Sequence, residues 1–145
     1  MKELPTFHSS GLKIYIAEND EDYQIIFKTA FEKLNFNSNV KFFFNGEELI
    51  KYLSSVENNN PDLIILDARM PVMDGLETLK KIKLKEKTNK IPVILMSGLI
   101  DNTIVDEVYR SGAADYIMKP FSLEGLINVL ELIEKHAGET SLACQ

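Results

Sequence analysis

The chain has 145 residues, 45% of them hydrophobic and 26% charged, with a formal net charge of -6 and one cysteine. That is a single domain of ordinary size, able to bury a core without disulfides. No apolar run reaches membrane-spanning length, the start carries no apolar signal core, and the acidic balance argues against nucleic acid as a direct ligand. The expectation is a cytoplasmic protein that binds neither membrane nor nucleic acid.

Residues 1–11 read as an irregular tail with Pro5 and Gly11 as breakers. Leu12-Lys13-Ile14-Tyr15-Ile16-Ala17 is a first strand that runs into the polar stretch Glu18-Asn19-Asp20-Glu21-Asp22. Tyr23, Phe27, Ala30, Phe31 and Leu34 then recur at the spacing of one helix face. Val40 to Phe44 is a second strand. Asn45, three residues before Glu48, is a capping pair that opens a helix with Leu49, Ile50 and Leu53 inward. Glu57 to Pro61 reads as a stop and loop.

Leu63-Ile64-Ile65-Leu66 is apolar without alternation, which predicts a strand buried on both faces. Asp67 is the first residue to break the run. Taken alone it is either a site residue or an ordinary loop acid, since Asp is common where strands enter turns. Gly75 leads into a helix with Leu76, Leu79 and Ile82, whose basic run Lys80 to Lys87 reads as a solvated face. Ile91 to Met96 is a fourth strand with Pro92 near its beginning, and it ends in Ser97-Gly98. Asp101-Asn102-Thr103 offers a cap for a helix carrying Ile104, Val105, Val108 and Tyr109. Ala114 to Met118 is a short fifth strand followed by Lys119-Pro120. Ser122 caps a last helix with Leu123, Leu126, Ile127, Leu130 and Ile133 inward, which Gly138 is expected to end. His136 then reads as a contact to that helix's C-terminal dipole, and His8 as a lone terminal residue. The domain is thus placed at 12–137, with a tail at 138–145 in which Cys144 has no internal partner.

Five strands alternating with five helices predict an α/β fold, a doubly wound five-stranded parallel sheet with helices on both faces and right-handed crossovers. The flavodoxin-like order 2-1-3-4-5 follows, with its ligand crevice at the carboxyl ends of strands 1 and 3. The strand ends then contribute Glu18, Asn19, Asp67, Ser97 and Lys119.

With those residues in view the chain resembles the receiver domain of two-component response regulators. Asp67-x-x-Met70-Pro71-x-Met73-Asp74-Gly75 matches the family's phosphoacceptor segment, and Ser97 and Lys119-Pro120-Phe121 fall in the family's order. The likeness covers about residues 12 to 136. It implies that Asp67 takes a phosphoryl group from a histidine kinase or phosphotransfer protein, beside a Mg2+ ion, with Mn2+ as an alternative. It implies metal ligands at Glu18, Asn19, Asp67 and the backbone carbonyl of Arg69. Ser97 and Lys119 would face the phosphoryl oxygens, and Ser97 and Tyr116 would switch a partner surface on helix 4, strand 5 and helix 5. On this reading the protein is a signalling module rather than an enzyme, beyond self-phosphorylation and slow self-dephosphorylation. It is either a stand-alone receiver or a piece of a longer chain.

Two unit charges about 4 Å apart repel by roughly 4 kcal/mol at an effective dielectric near 20, so a carboxylate attacking a phosphoryl dianion needs cations nearby. Mg2+ takes hard oxygens and keeps several waters, so two or three protein oxygens suffice. The sequence departs from the family at Asn19, where most receivers carry an acid, which predicts weaker metal binding. Asp20 is the substitute ligand if the loop is slipped by one. Gly98 stands where the family more often has Ala, Arg69 is placed to lean over the phosphoryl group, Asp74 reads as a turn former, and Met70 and Met73 as packing residues. The alternative is a receiver-like interaction module that is not phosphorylated, motivated by Asn19. An aspartyl-phosphate hydrolase would want an acid where Arg69 stands, and a flavin module would want a phosphate-cradling loop in place of the acids after strand 1.

Overall fold

The computed structural model describes residues 11–36, 38–55 and 60–143, the last six as backbone alone. The readings of residues 1–10 with His8, of Glu57 to Asn59, and of Cys144 lie outside the described residues. In chain order the elements are β1 (Leu12–Ala17), α1 (Glu21–Lys33), β2 (Ser38–Phe43), α2 (Gly46–Ser55) and β3 (Leu63–Asp67). There follow α3 (Gly75–Leu84), β4 (Val93–Ser97), α4 (Val105–Arg110), β5 (Asp115–Met118) and α5 (Leu123–Ala143). The sheet order is β2-β1-β3-β4-β5 and every pairing is parallel.

Successive strand residues point to opposite faces, so each strand feeds two cores. Tyr15, Ala17, Ile64, Leu66, Val93 and Leu95 pack with Leu49 and Leu53 of α2, Leu79 and Ile82 of α3, and Val108 of α4. Ile14, Ile16, Leu63, Ile65, Ile94 and Met96 pack with Tyr23, Phe27 and Phe31 of α1 and Val129, Leu130 and Ile133 of α5. Leu63 to Leu66 have no exposed surface, as an unalternating apolar strand demands; each such side chain contributes about 1.5–3 kcal/mol on burial. The Asn45 side chain accepts from the Glu48 amide at 2.9 Å while Glu48 accepts from the Phe44 amide at 3.0 Å, so the predicted capping pair forms. The Ser122 hydroxyl accepts from the Gly125 amide at 3.1 Å and starts α5.

Several local expectations are corrected. Helix α5 runs through Gly138 to Ala143; one glycine costs a helix interior about 1 kcal/mol, which good helix formers on either side offset. His136 is therefore not at a helix end, and its Nε2 lies 3.3 Å from Asp115 Oδ2 on β5. Leu123 is exposed and Val129 takes its expected place in the inner stripe. β2 begins at Ser38 and leaves Phe44 outside. Asp101 does not cap α4: its carboxylate accepts from the Thr103 amide in a turn ahead of the helix. Tyr109 is half-exposed, its hydroxyl accepting from the Tyr116 amide. Lys83, read as part of a solvated face, is partly buried and donates to the carbonyls of Asn89 and Ile91; burial pulls its ammonium below the usual lysine range.

Candidate functional site

The carboxyl ends of the strands are fixed by the last rungs of the ladder. The Glu18 amide donates to Phe43 at 2.8 Å, the Ala68 amide to Met96 at 2.7 Å, and the Lys119 amide to Ser97 at 2.7 Å. Each sequence-distant site residue is thereby held by its neighbouring strand. Glu18 and Asp67 are buried, at 2% and 7% exposure. Between them lies the Lys119 ammonium, 2.5 Å from Glu18 Oε1 and 3.1 Å from Asp67 Oδ2.

Two carboxyls sharing one ammonium leave the pocket short of positive charge. Burial, followed by the Asp67 carboxyl hydrogen-bonded beside it, pushes Glu18 up to about 7, against the pull of Lys119. For Lys119 burial acts downward, but the contacts with Glu18 and then Asp67 outweigh it and raise the ammonium above the ordinary lysine value.

The loop after β3 presents Asp67 to its surroundings. The Arg69 amide donates to Asp67 Oδ1 at 3.1 Å, and the Asp74 carboxylate caps α3 by accepting from Glu77 at 2.9 Å, the turn role expected of it. Met70 and Met73 are buried as packing residues. Gly75 allows α3 to start against the strand: a Cβ there would lie 2.5 Å from the Asp67 carbonyl oxygen and 2.8 Å from Ala68 Cα. Val72 has φ 70°, and the Met73 amide donates to the Pro71 carbonyl at 2.7 Å across it. This is a γ-turn, a strained form for a β-branched residue.

The other predicted residues take varied positions. Asn19 is exposed beside Glu18. Asp20 is the N-cap of α1, its side chain accepting from the Asp22 amide at 2.9 Å, so its carboxylate already has a structural task. Ser97 is buried, and its hydroxyl donates to the Leu99 carbonyl at 2.7 Å. A Cβ at Gly98 would meet nothing within 4 Å, so the position has room for a side chain. Tyr116 is buried, and its hydroxyl accepts from the Asp101 amide at 3.2 Å. Thr103, by hydroxyl and then amide, and more weakly the Arg69 guanidinium, hold the Asp101 carboxyl below the usual range.

Mg2+ is the ion that such a site implies, and the donor set suits it. Glu18 and Asp67 offer buried carboxylate oxygens, and Glu18 Oε2 accepts from the Asp20 amide at 3.5 Å. A cation would offset both the burial that chiefly raises Glu18 and the neighbouring Asp67 carboxyl. Among the described residues no three acid, His or Cys side chains converge on one point. Two carboxylates, neutral oxygens from Asn19 or the Arg69 backbone, and water are the set that Mg2+ accepts.

One contact escaped the sequence reading. Tyr23, which reads only as an inward residue of α1, lies with its ring 4.7 Å from Lys119 Nζ. No pattern in the chain pairs α1 with the end of β5.

Residues 14–131 match the family of the response regulator receiver domain. The chain belongs to that family. This receiver is 28% identical over 126 residues to the probable methanogenesis regulatory protein FilR2 of Methanothrix harundinacea, spanning 85% of this chain and 81% of that one. It is 40% identical over 93 residues to the chemotaxis protein CheY of Listeria monocytogenes, spanning 64% and 71%. The phosphorylated cyanobacterial phytochrome response regulator RcpA superposes with a TM-score of 0.76 at 27% identity, covering 87% of this receiver and 93% of that chain. Other relatives are longer: the receiver spans 38% of the probable C4-dicarboxylate response regulator DctR of Bacillus subtilis and 20% of the transcriptional regulator NtrC of Escherichia coli. Fold neighbours include a receiver domain with magnesium coordinated in its active-site cleft and a response regulator in its Mn2+-bound form. Receiver domains are signalling modules that work between histidine kinases and downstream effectors. No helix among the described residues is long and apolar enough to cross a membrane.

Proposed function

We propose that this receiver accepts a phosphoryl group on Asp67 from the phosphohistidine of a cytoplasmic sensor kinase or phosphotransfer protein. One observation carries the reading: the Lys119 ammonium lies 3.1 Å from a carboxylate oxygen of Asp67, the acid at the end of the fully buried central strand.

In the reaction an Asp67 oxygen attacks the phosphorus, the phosphorus–nitrogen bond breaks, and the electron pair leaves with the imidazole. Lys119 turns from Glu18 toward the phosphoryl oxygens and offsets their charge. Ser97 releases the Leu99 carbonyl and donates to a second oxygen. Glu18, Asp67, Asn19 and the Arg69 carbonyl are the groups that would hold Mg2+ or Mn2+. That ion supplies electrostatic stabilisation of the transferring phosphoryl group.

The output reading follows from the same loop. Ser97 is bonded to Leu99, and Asp101, two residues further, is bonded to Tyr116. Recruitment of Ser97 frees the Leu99 carbonyl and loosens the loop, and Tyr116 feels the change through Asp101. The ring is already inward here, so the switch acts through loop position rather than by a swing of the ring from outside. A charge gain of about -1.5 to -2 is enough to bias two surface states a few kcal/mol apart. Met118 and Tyr109, both exposed, mark the α4–β5–α5 surface offered to a downstream protein.

The test is intact-mass measurement after incubation with Mg2+ and acetyl phosphate. A single phosphoryl adduct on the native protein, absent from Asp67→Asn, supports the proposal. No adduct, together with no response to beryllofluoride, would favour a binding module that is not phosphorylated.

A further inference from the structure

Tyr23 stands in the first turn of α1 and is 2% exposed. Its contacts converge on the corner between β5 and α5. The ring is 4.7 Å from Lys119 Nζ, and the hydroxyl donates to the Pro120 carbonyl at 2.8 Å. Edge-to-face rings of Phe27 and Phe121, with centroids at 5.2 and 5.6 Å, hold the Tyr23 ring in place. The residue therefore touches both the ammonium and the carbonyl of the residue that follows Lys119.

We propose that Tyr23 is a positioning residue for Lys119, its ring keeping the ammonium aimed at Asp67. The inference rests on the reading of Asp67 as the phosphoryl acceptor. A lysine head is a compact charge on a flexible four-carbon stem, so its placement must come from surrounding groups. Glu18 and Asp67 supply two directional partners. An aromatic face attracts a cation without a directional bond. Lys119 can then exchange Glu18 for a phosphoryl oxygen and keep the ring.

Two readouts test this on the whole protein. In NMR spectra the Lys119 ε-methylene protons are expected upfield in the native protein and in Tyr23→Phe, from the ring current, and near ordinary lysine values in Tyr23→Leu. With acetyl phosphate and Mg2+, the phosphorylation rate per folded molecule is expected to fall about tenfold in Tyr23→Leu. Tyr23→Phe, which keeps the ring, should stay within about twofold. Unshifted Lys119 resonances in the native protein would overturn the proposal, even if Tyr23→Leu does not fold. So would a native rate in Tyr23→Leu, or a rate in Tyr23→Phe as low as in Tyr23→Leu. Shifted resonances in a native protein that takes up no phosphoryl group would overturn the Asp67 reading and support the Tyr23–Lys119 contact.

Discussion

Glu18 and Lys119, 101 residues apart in the chain, meet at 2.5 Å in a pocket that Asp67 shares. In the proposed reaction the pair is the resting contact that Lys119 leaves for a phosphoryl oxygen. It also leaves Glu18 burdened by burial and by a second carboxyl, and the consequences can be measured.

In metal-free buffer the folded state raises Glu18 from 4.5 to about 7. Between those values the folded protein binds the proton more than the unfolded chain does, so this group's stabilising contribution is complete below about pH 4.5 and is lost as pH rises through 7. Thermal or urea denaturation at pH 5 and pH 8 should show the native protein losing stability toward pH 8 relative to Glu18→Gln. Parallel profiles for the two proteins would remove the raised carboxyl from the account.

Asn19 and Asp20 separate by task. Asn19→Asp adds a charged ligand beside Glu18 and should tighten Mg2+ binding about tenfold, as ligand charge tunes hard-cation sites. Asp20→Ala removes the α1 cap and should cost about 1 kcal/mol of stability, with little change in Mg2+ affinity. Calorimetric titration and denaturation read the two effects; a loss of affinity in Asp20→Ala would make Asp20 the ligand.

Gly75→Ala would place a methyl 2.5 Å from the Asp67 carbonyl oxygen and 2.6 Å from Leu95 Cδ1. Backbone on one side and a buried side chain on the other leave it no room. A loss of about 2 kcal/mol is expected from overpacking, with slower phosphorylation because the displaced peptide carries Asp67. Native values for both stability and rate would show that the loop yields freely.

Val72 is 73% exposed and holds φ 70°, so its side chain contributes strain without much burial. Strain of this kind costs about 1–3 kcal/mol, and glycine's greater freedom in the unfolded chain returns about 0.5–1 kcal/mol of that. Val72→Gly should therefore stabilise the protein by about 1 kcal/mol in chemical denaturation. Destabilisation would mean that the γ-turn costs valine little.

The apolar run Leu63 to Leu66, the Asn45–Glu48 cap and the acid-to-turn break at Asp67 are local patterns, and the structure keeps them all. Strand order then brings Glu18, Asp67 and Lys119 together without any long-range signal in the chain. What stayed hidden depends on through-space contacts or on conformation without a residue signature. Tyr23 has the spacing of a core residue, and only the fold sets it against Lys119. Valine gives no warning of a left-handed turn at position 72. Gly138 reads as a stop, yet α5 continues to Ala143, which leaves His136 within the helix and paired with Asp115.

The most direct test of the central claim locates the modified carboxyl. After reaction with Mg2+ and acetyl phosphate, borohydride reduces an aspartyl phosphate to homoserine, which peptide mass mapping assigns to a residue. The account predicts homoserine at position 67 alone. Reduction at Glu18 or another acid, or at no residue in a protein that binds Mg2+, would contradict it.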